Sequence, residues 1–184
     1  MSKYKQVEEI QILQTPIQAI SDPNFHTALS IAIGLVCEVI NWDYGEIWIK
    51  SKYGNILELS PARYINPHRG NAYILALEQF RLCSEAFILF PGIGLPGRVW
   101  SSQQPEWISD ISVQSESYFL RNQIAKAFGV RTGFGVPIID NDQVVAVLVF
   151  FISQTREQDK GVIEIAQAAA SATSSVVAAH LSLR

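Results

Sequence analysis

The stretch that most constrains this chain is residues 131–151, RTGFGVPIIDNDQVVAVLVFF. Two runs, Arg131–Ile139 and Gln143–Phe151, flank the polar triplet Asp140-Asn141-Asp142, whose side chains favour a reversal of the backbone. The pattern predicts a β-hairpin. Its second run is apolar at both alternating sets of positions, so that strand needs cover on both faces. Any fold must therefore place a layer on each side of a sheet. With 184 residues, 48% of them hydrophobic and 17% charged, the chain has the material for one such domain.

The flanking segments predict the layers. Residues 4–14 suit a short amphipathic helix, with Val7, Ile10 and Leu13 spaced by three, and Pro16 breaking it. Asp22 and Pro23 are a good N-cap and first-turn pair for a second helix, which carries Phe25, Leu29, Ile33, Val36 and Ile40 and ends at Asn41. Strands are expected at Tyr44–Lys50 and Ile56–Ile65, then a helix at Tyr73–Ala86 and a short strand at Phe87–Phe90. A short helix at Leu95–Ser101, a strand at Glu106–Ser109 and a helix at Ser115–Phe128 lead to the hairpin, and a long helix starts near Thr155. This order is α+β with a mostly antiparallel sheet. Residues 1–20 form an N-terminal helical segment and residues 21–184 a single domain that includes the last helix. The small side chains of 166–179, AQAAASATSSVVAA, allow close packing on the sheet and a homodimer seam with the first helix.

One motif invites a chemical reading. Gly92-Ile-Gly-Leu-Pro-Gly97 is a literal G-x-G-x-x-G, the spacing that holds a dinucleotide pyrophosphate at a helix N-terminus. That role needs a strand–helix–strand unit and an acidic residue about 20 positions on. Here Pro91 intervenes, the following helix is cut short by Pro105, and Asp110 comes too early. The glycines are expected to shape a sharp turn instead, with Pro96 in the first turn of a short helix.

Other classes are disfavoured by composition. A net charge of −3 without a cluster of lysine and arginine argues against direct nucleic-acid binding. The start MSKYKQVEEI has no apolar run behind its lysines, and the longest apolar run, Val144–Ile152, falls short of the ~20 residues that span a bilayer. A cytoplasmic protein without a membrane segment is expected. Cys37 and Cys83 make no disulfide framework, and with His26, His68 and His180 they show no metal-ligand spacing. No nucleophile-elbow motif is present, so no catalysis is expected.

The segment Phe90-Pro-Gly-Ile-Gly-Leu-Pro-Gly-Arg-Val-Trp100, followed by Pro105-Glu-Trp-Ile-Ser-Asp110, resembles the signature of GAF domains. Residues 37–48, CEVINWDYGEIW, resemble the passage from helix to first strand in that family. Residues 128–138, FGVRTGFGVPI, and Val144–Phe151 resemble its last two strands. The resemblance runs from about Phe25 to Leu181 and is nearest to GAF domains beside histidine kinases and cyclases in bacterial signalling proteins. It implies a GAF/PAS-like fold: an antiparallel sheet of about six strands, terminal helices on one face, and loops and short helices over a pocket on the other. It further implies a sensory or regulatory module that binds a small ligand or a signalling partner.

The resemblance also narrows the ligands. Light-sensing relatives attach a linear tetrapyrrole through a cysteine beside a histidine, and 115–128 has neither. The residue set of cyclic-nucleotide-binding relatives is missing, as is the cysteine trio of GAF-fold methionine sulfoxide reductases. Haem needs an axial ligand, and His68 stands alone in a polar loop. No cofactor is identified. Trp48, Trp100, Trp107, Phe119 and Phe134 are the candidate pocket walls, with Asp110, Arg121 and Arg131 as polar groups to orient a ligand. The alternative is that these aromatics fill the core and leave a homodimerisation or docking module without a ligand.

Overall fold

The computed structural model describes residues 25–183. The predicted helix at 4–14 and the caps Asp22 and Pro23 lie outside the described residues. Helix α1 (Phe25–Ile40) leads to strands β1 (Tyr44–Lys50) and β2 (Leu57–Ile65). Then come α2 (Asn71–Ser84), β3 (Ile88–Leu89), α3 (Gly94–Ser102) and β4 (Glu106–Ile108). A 3-10 turn (Ile111–Val113), α4 (Asn122–Ala127), β5 (Thr132–Asp140), β6 (Gln143–Ile152) and α5 (Lys160–Leu183) complete the chain.

The six strands form one sheet in the order β3-β2-β1-β6-β5-β4, each neighbouring pair antiparallel. The hairpin expected from the sequence joins β5 to β6, with Asp140 opposite Gln143. Asn141 and Asp142 both take positive φ, 46° and 60°, the turn whose twist matches its flanking strands. Strand β6 is central and covered twice. Ala146, Leu148, Phe150 and Ile152 face α1 and α5, whereas Val147, Val149 and Phe151 face the short helices and loops. The same alternation in β1 sends Ile47 and Ile49 to the helical layer and Tyr44 and Trp48 to the other.

Helix α1 buries Phe25, Leu29, Ala32, Ile33, Val36 and Ile40, one stripe at helical spacing. Helix α5 packs beside it through Ile165, Ala166, Ala169, Ala170, Thr173 and Val177, so the small residues do serve close packing on the sheet. Residues 160–182 of α5 are also long and apolar enough to cross a membrane by length and composition, with a mean hydropathy of 1.3. Contiguous apolar runs do not reveal this, because glutamine, serine and threonine interrupt the alanines and valines. The buried stripe against the sheet accounts for that composition as a core helix.

Two predicted helices are corrected. The helix expected at Ser115–Phe128 is confined to Asn122–Ala127, behind a turn-rich segment. Side chains there compete with helical bonding: Asn122 Nδ2 donates to the carbonyls of Ile111, Ser112 and Gln114, and the Tyr118 amide donates to Ser115 Oγ. The last helix starts at Lys160 rather than Thr155. The Asp159 carboxylate accepts from the Gly161 and Val162 amides, while Thr132 and Trp107 bond the backbone of Arg156 and hold it extended.

Candidate functional site

The loop-covered face is built around residues that alternate along β1. Tyr44, Glu46 and Trp48 point the same way, into a layer roofed by α2, α3 and the 114–121 segment. Glu46 is fully buried on this central strand. Its Oε2 accepts from the Tyr44 hydroxyl at 3.0 Å, and its Oε1 accepts from the Trp48 indole at 2.7 Å. Arg121, also buried, places Nη2 2.7 Å from the same Oε1, and its Nη1 donates to Ser84 Oγ at 3.0 Å. The Ser84 hydroxyl in turn donates to the Phe80 carbonyl.

Four rings enclose that guanidinium. Its central carbon lies 5.4 Å from the Trp48 ring, 5.0 Å from Phe80, 5.7 Å from Phe119 and 5.0 Å from Phe151, all within cation–π range. Burial pushes the Tyr44 phenol well above its ordinary value, and the Glu46 charge adds to this against the opposing arginines Arg81 and Arg121. Tyr44 thus remains a hydrogen-bond donor to the carboxylate. A second buried arginine, Arg81, donates through Nη2 to the Ser60 carbonyl at 2.7 Å and lies 3.3 Å from Glu85. Its Nη1 is buried with no hydrogen-bond partner.

Of the residues singled out in the sequence, Trp48, Phe119 and Arg121 come together here. Trp100 packs against the edge of the same layer, with the Lys50 ammonium 5.8 Å over its ring. Trp107 and Phe134 do not belong to it. They are register partners on β4 and β5 and face the helical layer, stacked on each other at 5.1 Å with Trp42 edge-on to both. Strand β4 has only three residues and so no phase of its own, and the alternation of Phe134, Val136 and Ile138 along β5 does not tell which face of the sheet the helices cover, so aromatic content alone could not assign their side. Glu46 and Tyr44 were missed, although the spacing Tyr44-x-Glu46-x-Trp48 puts an acid between two aromatics on one strand face.

Asp110 and Arg131 form a separate brace. Asp110 Oδ1 accepts from the Ser112 amide at 2.9 Å and its hydroxyl at 2.6 Å, capping the 3-10 turn. Arg131 Nη1 donates to Ser112 Oγ and lies 3.9 Å from Asp110 Oδ2. Burial alone would raise the Asp110 carboxyl, but the Ser112 bonds, Arg131 and Thr155 outweigh it and hold the value below its ordinary 3.8. A depressed carboxylate contributes stability above the unfolded value and loses it as pH falls through the folded one. Asp110→Asn is therefore expected to lower stability at neutral pH, with the difference from wild type gone once pH falls below that lowered folded value in urea titrations across pH. A gap that persists there would assign the loss to shape instead of charge.

The glycine motif is a bend at the rim of the same layer. Gly92 and Gly94 have positive φ, 81° and 66°, and α3 begins at Gly94. Arg98, half-buried on α3, makes a two-pronged pair with Glu106 and reaches the Tyr118 carbonyl, with its guanidinium 3.9 Å over the Tyr118 ring. It braces the 114–121 segment from outside. A groove of about 390 Å³ lies elsewhere, between the β1–β2 turn and the ends of α1 and α5, lined by His26, Lys50, Ser60 and Leu181.

Comparison with known proteins agrees with the fold. The fold matches the GAF domain of an Acinetobacter phosphoenolpyruvate-protein phosphotransferase with a TM-score of 0.73 at 17% identity, over 100% of this chain and 98% of that one. It matches the free methionine-R-sulfoxide reductase of Neisseria meningitidis, solved with its substrate, with a TM-score of 0.70 at 12% identity, over 100% and 96%. At these identities the likeness speaks to the fold alone. A stretch of 60 residues is 37% identical to transcription factor bHLH13 of Arabidopsis thaliana, covering 33% of this chain and only 10% of the plant protein. The GAF domain family model matches residues 23–178, most of the chain: this chain belongs to the GAF domain family.

Proposed function

We propose that this domain is a non-catalytic sensory and regulatory module of bacterial signalling, cytoplasmic, whose loop-covered face responds to a small ligand or partner. The observation that carries this reading is the reach of Arg121. From a segment outside the sheet it contacts Glu46 on central strand β1. The opposite face of β1 presents Ile47 and Ile49 to the layer formed by α1 and α5. A rearrangement of the 114–121 segment thus acts on a strand that touches the terminal helices. In support of a non-catalytic role, Cys37 is buried on the helical side and Cys83 is exposed on α2, so the two thiols sit apart. Burial, followed by Asp43 and Glu38, pushes the Cys37 thiol well above its ordinary value, which leaves it a poor nucleophile.

The filled interior favours a second reading, a GAF-fold homodimerisation or docking module without a ligand. Trp48, Phe80, Phe119 and Phe151 occupy the volume between sheet and roof. Native mass spectrometry of the purified protein, with thermal melts against a metabolite panel, separates the two. A retained mass or a saturable rise in melting temperature supports the sensor. A ligand-free dimer that melts identically with every compound overturns it. Deletion of residues 1–20 with no change of oligomer would count against a seam between the terminal helices.

A further inference from the structure

The Glu46–Arg121 contact has the composition of a ligand site. Four aromatic rings and a buried carboxylate surround one guanidinium, the arrangement by which proteins take up organic cations from solution. Here the cation is supplied by the chain itself. A merely structural role would be met by less: replacing a buried ion pair with apolar residues of similar volume is often neutral or stabilising, so core stability does not call for this pair. The carboxylate is moreover held in place independently of Arg121, since Tyr44 and Trp48 each donate to it from the same strand. The walls Trp48, Phe80 and Phe151 come from β1, α2 and β6, and Ser84 from α2. Only Phe119 and Arg121 belong to the turn-rich segment, whose residues 115–118 are exposed, Tyr118 by 41%. Most of the cage therefore stays assembled on regular structure while its cation sits on a surface segment.

We propose that the cage of Trp48, Phe80, Phe151 and Glu46 is a binding site for small organic cations of the guanidinium class, with Arg121 as its internal, competing occupant. This rests on the sensory reading above and gives it a ligand chemistry. An external guanidinium would take the Glu46 oxygen and the ring faces, and Arg121 would move out to solvent with its segment. The self-occupied cage lowers the apparent affinity of the wild type by the fraction of molecules in which Arg121 has left. Removing that side chain should restore the intrinsic affinity.

The test titrates methylguanidinium into wild type and Arg121→Ala by calorimetry, with urea as the neutral isostere and sodium chloride as the ionic control. Arg121→Ala is expected to bind methylguanidinium saturably and at least tenfold more tightly than wild type, with no saturable binding of urea. Adding Glu46→Gln to that variant should abolish the binding. In wild type, saturating methylguanidinium should raise deuterium uptake over 114–121 and leave β6 protected. This second measurement decides the matter if Arg121→Ala does not fold. The proposal is overturned if urea binds as well as methylguanidinium, if Glu46→Gln leaves the affinity unchanged, or if wild type shows neither binding nor a change in exchange. A neutral or anionic hit from the metabolite panel alongside any of those results would leave the sensory reading standing and remove only the cation class.

Discussion

Arg121→Met is expected to lower folding stability by about 3–5 kcal/mol, because it leaves the Glu46 carboxylate buried without its countercharge. Glu46→Gln should cost a similar amount, since the guanidinium then keeps its rings and Ser84 but loses its anion. The double variant is expected to recover most of the loss. A glutamine at 46 can accept from the Trp48 indole and donate to the Tyr44 hydroxyl, so both native partners stay satisfied. Methionine at 121 fills the ring-lined space with an adaptable apolar chain. Urea denaturation of the two single variants and the double one measures the coupling directly. Losses that simply add would show that Glu46 and Arg121 act separately and that the short distance between them carries no energy.

The parts of the fold legible in the sequence are those with long, regular patterning. The apolar run of β6 required two layers, and the α1 stripe gave one of them. The family resemblance rested on the glycine bend and on PEWISD, both set by backbone demands that few residue types satisfy. The site was less legible. Of the candidates, Trp48, Phe119 and Arg121 lie together, whereas Trp107 and Phe134 face the helical layer: a strand of three residues has no readable phase, and the alternation along β5 does not name its covered face. The 115–128 segment read as helix by composition, yet three bonds from one side chain, Asn122, fold the preceding backbone into turns. Those turns are what aim Phe119 and Arg121 inward. Local propensity cannot report them, since their partners at Ile111 and Ser84 lie 10 or more positions away in the chain.

The glycine motif gives the second large effect. Gly97→Ala is expected to destabilise the domain by about 3 kcal/mol. A methyl group there would lie 2.2 Å from the Phe90 carbonyl oxygen, a backbone atom that cannot rotate away. The Gly97 carbonyl meanwhile accepts from the Gly92 amide at 2.7 Å, so any shift of α3 that relieves the clash also breaks the bond closing the bend. Gly94→Ala should be milder, about 1–2 kcal/mol, because its cost is the left-handed φ of 66° and the nearest atom, Leu120 Cδ1, is 3.6 Å away. Gly54→Ala, with nothing within 4 Å, serves as the control with no measurable loss. Chemical denaturation of the three variants ranks these effects. The order 97, then 94, then 54 would mean that the third glycine of G-x-G-x-x-G is kept for contact with the protein's own backbone. A stable Gly97→Ala would instead reopen the possibility that this position is spared for a bound phosphate, since only a ligand would then need the missing side chain.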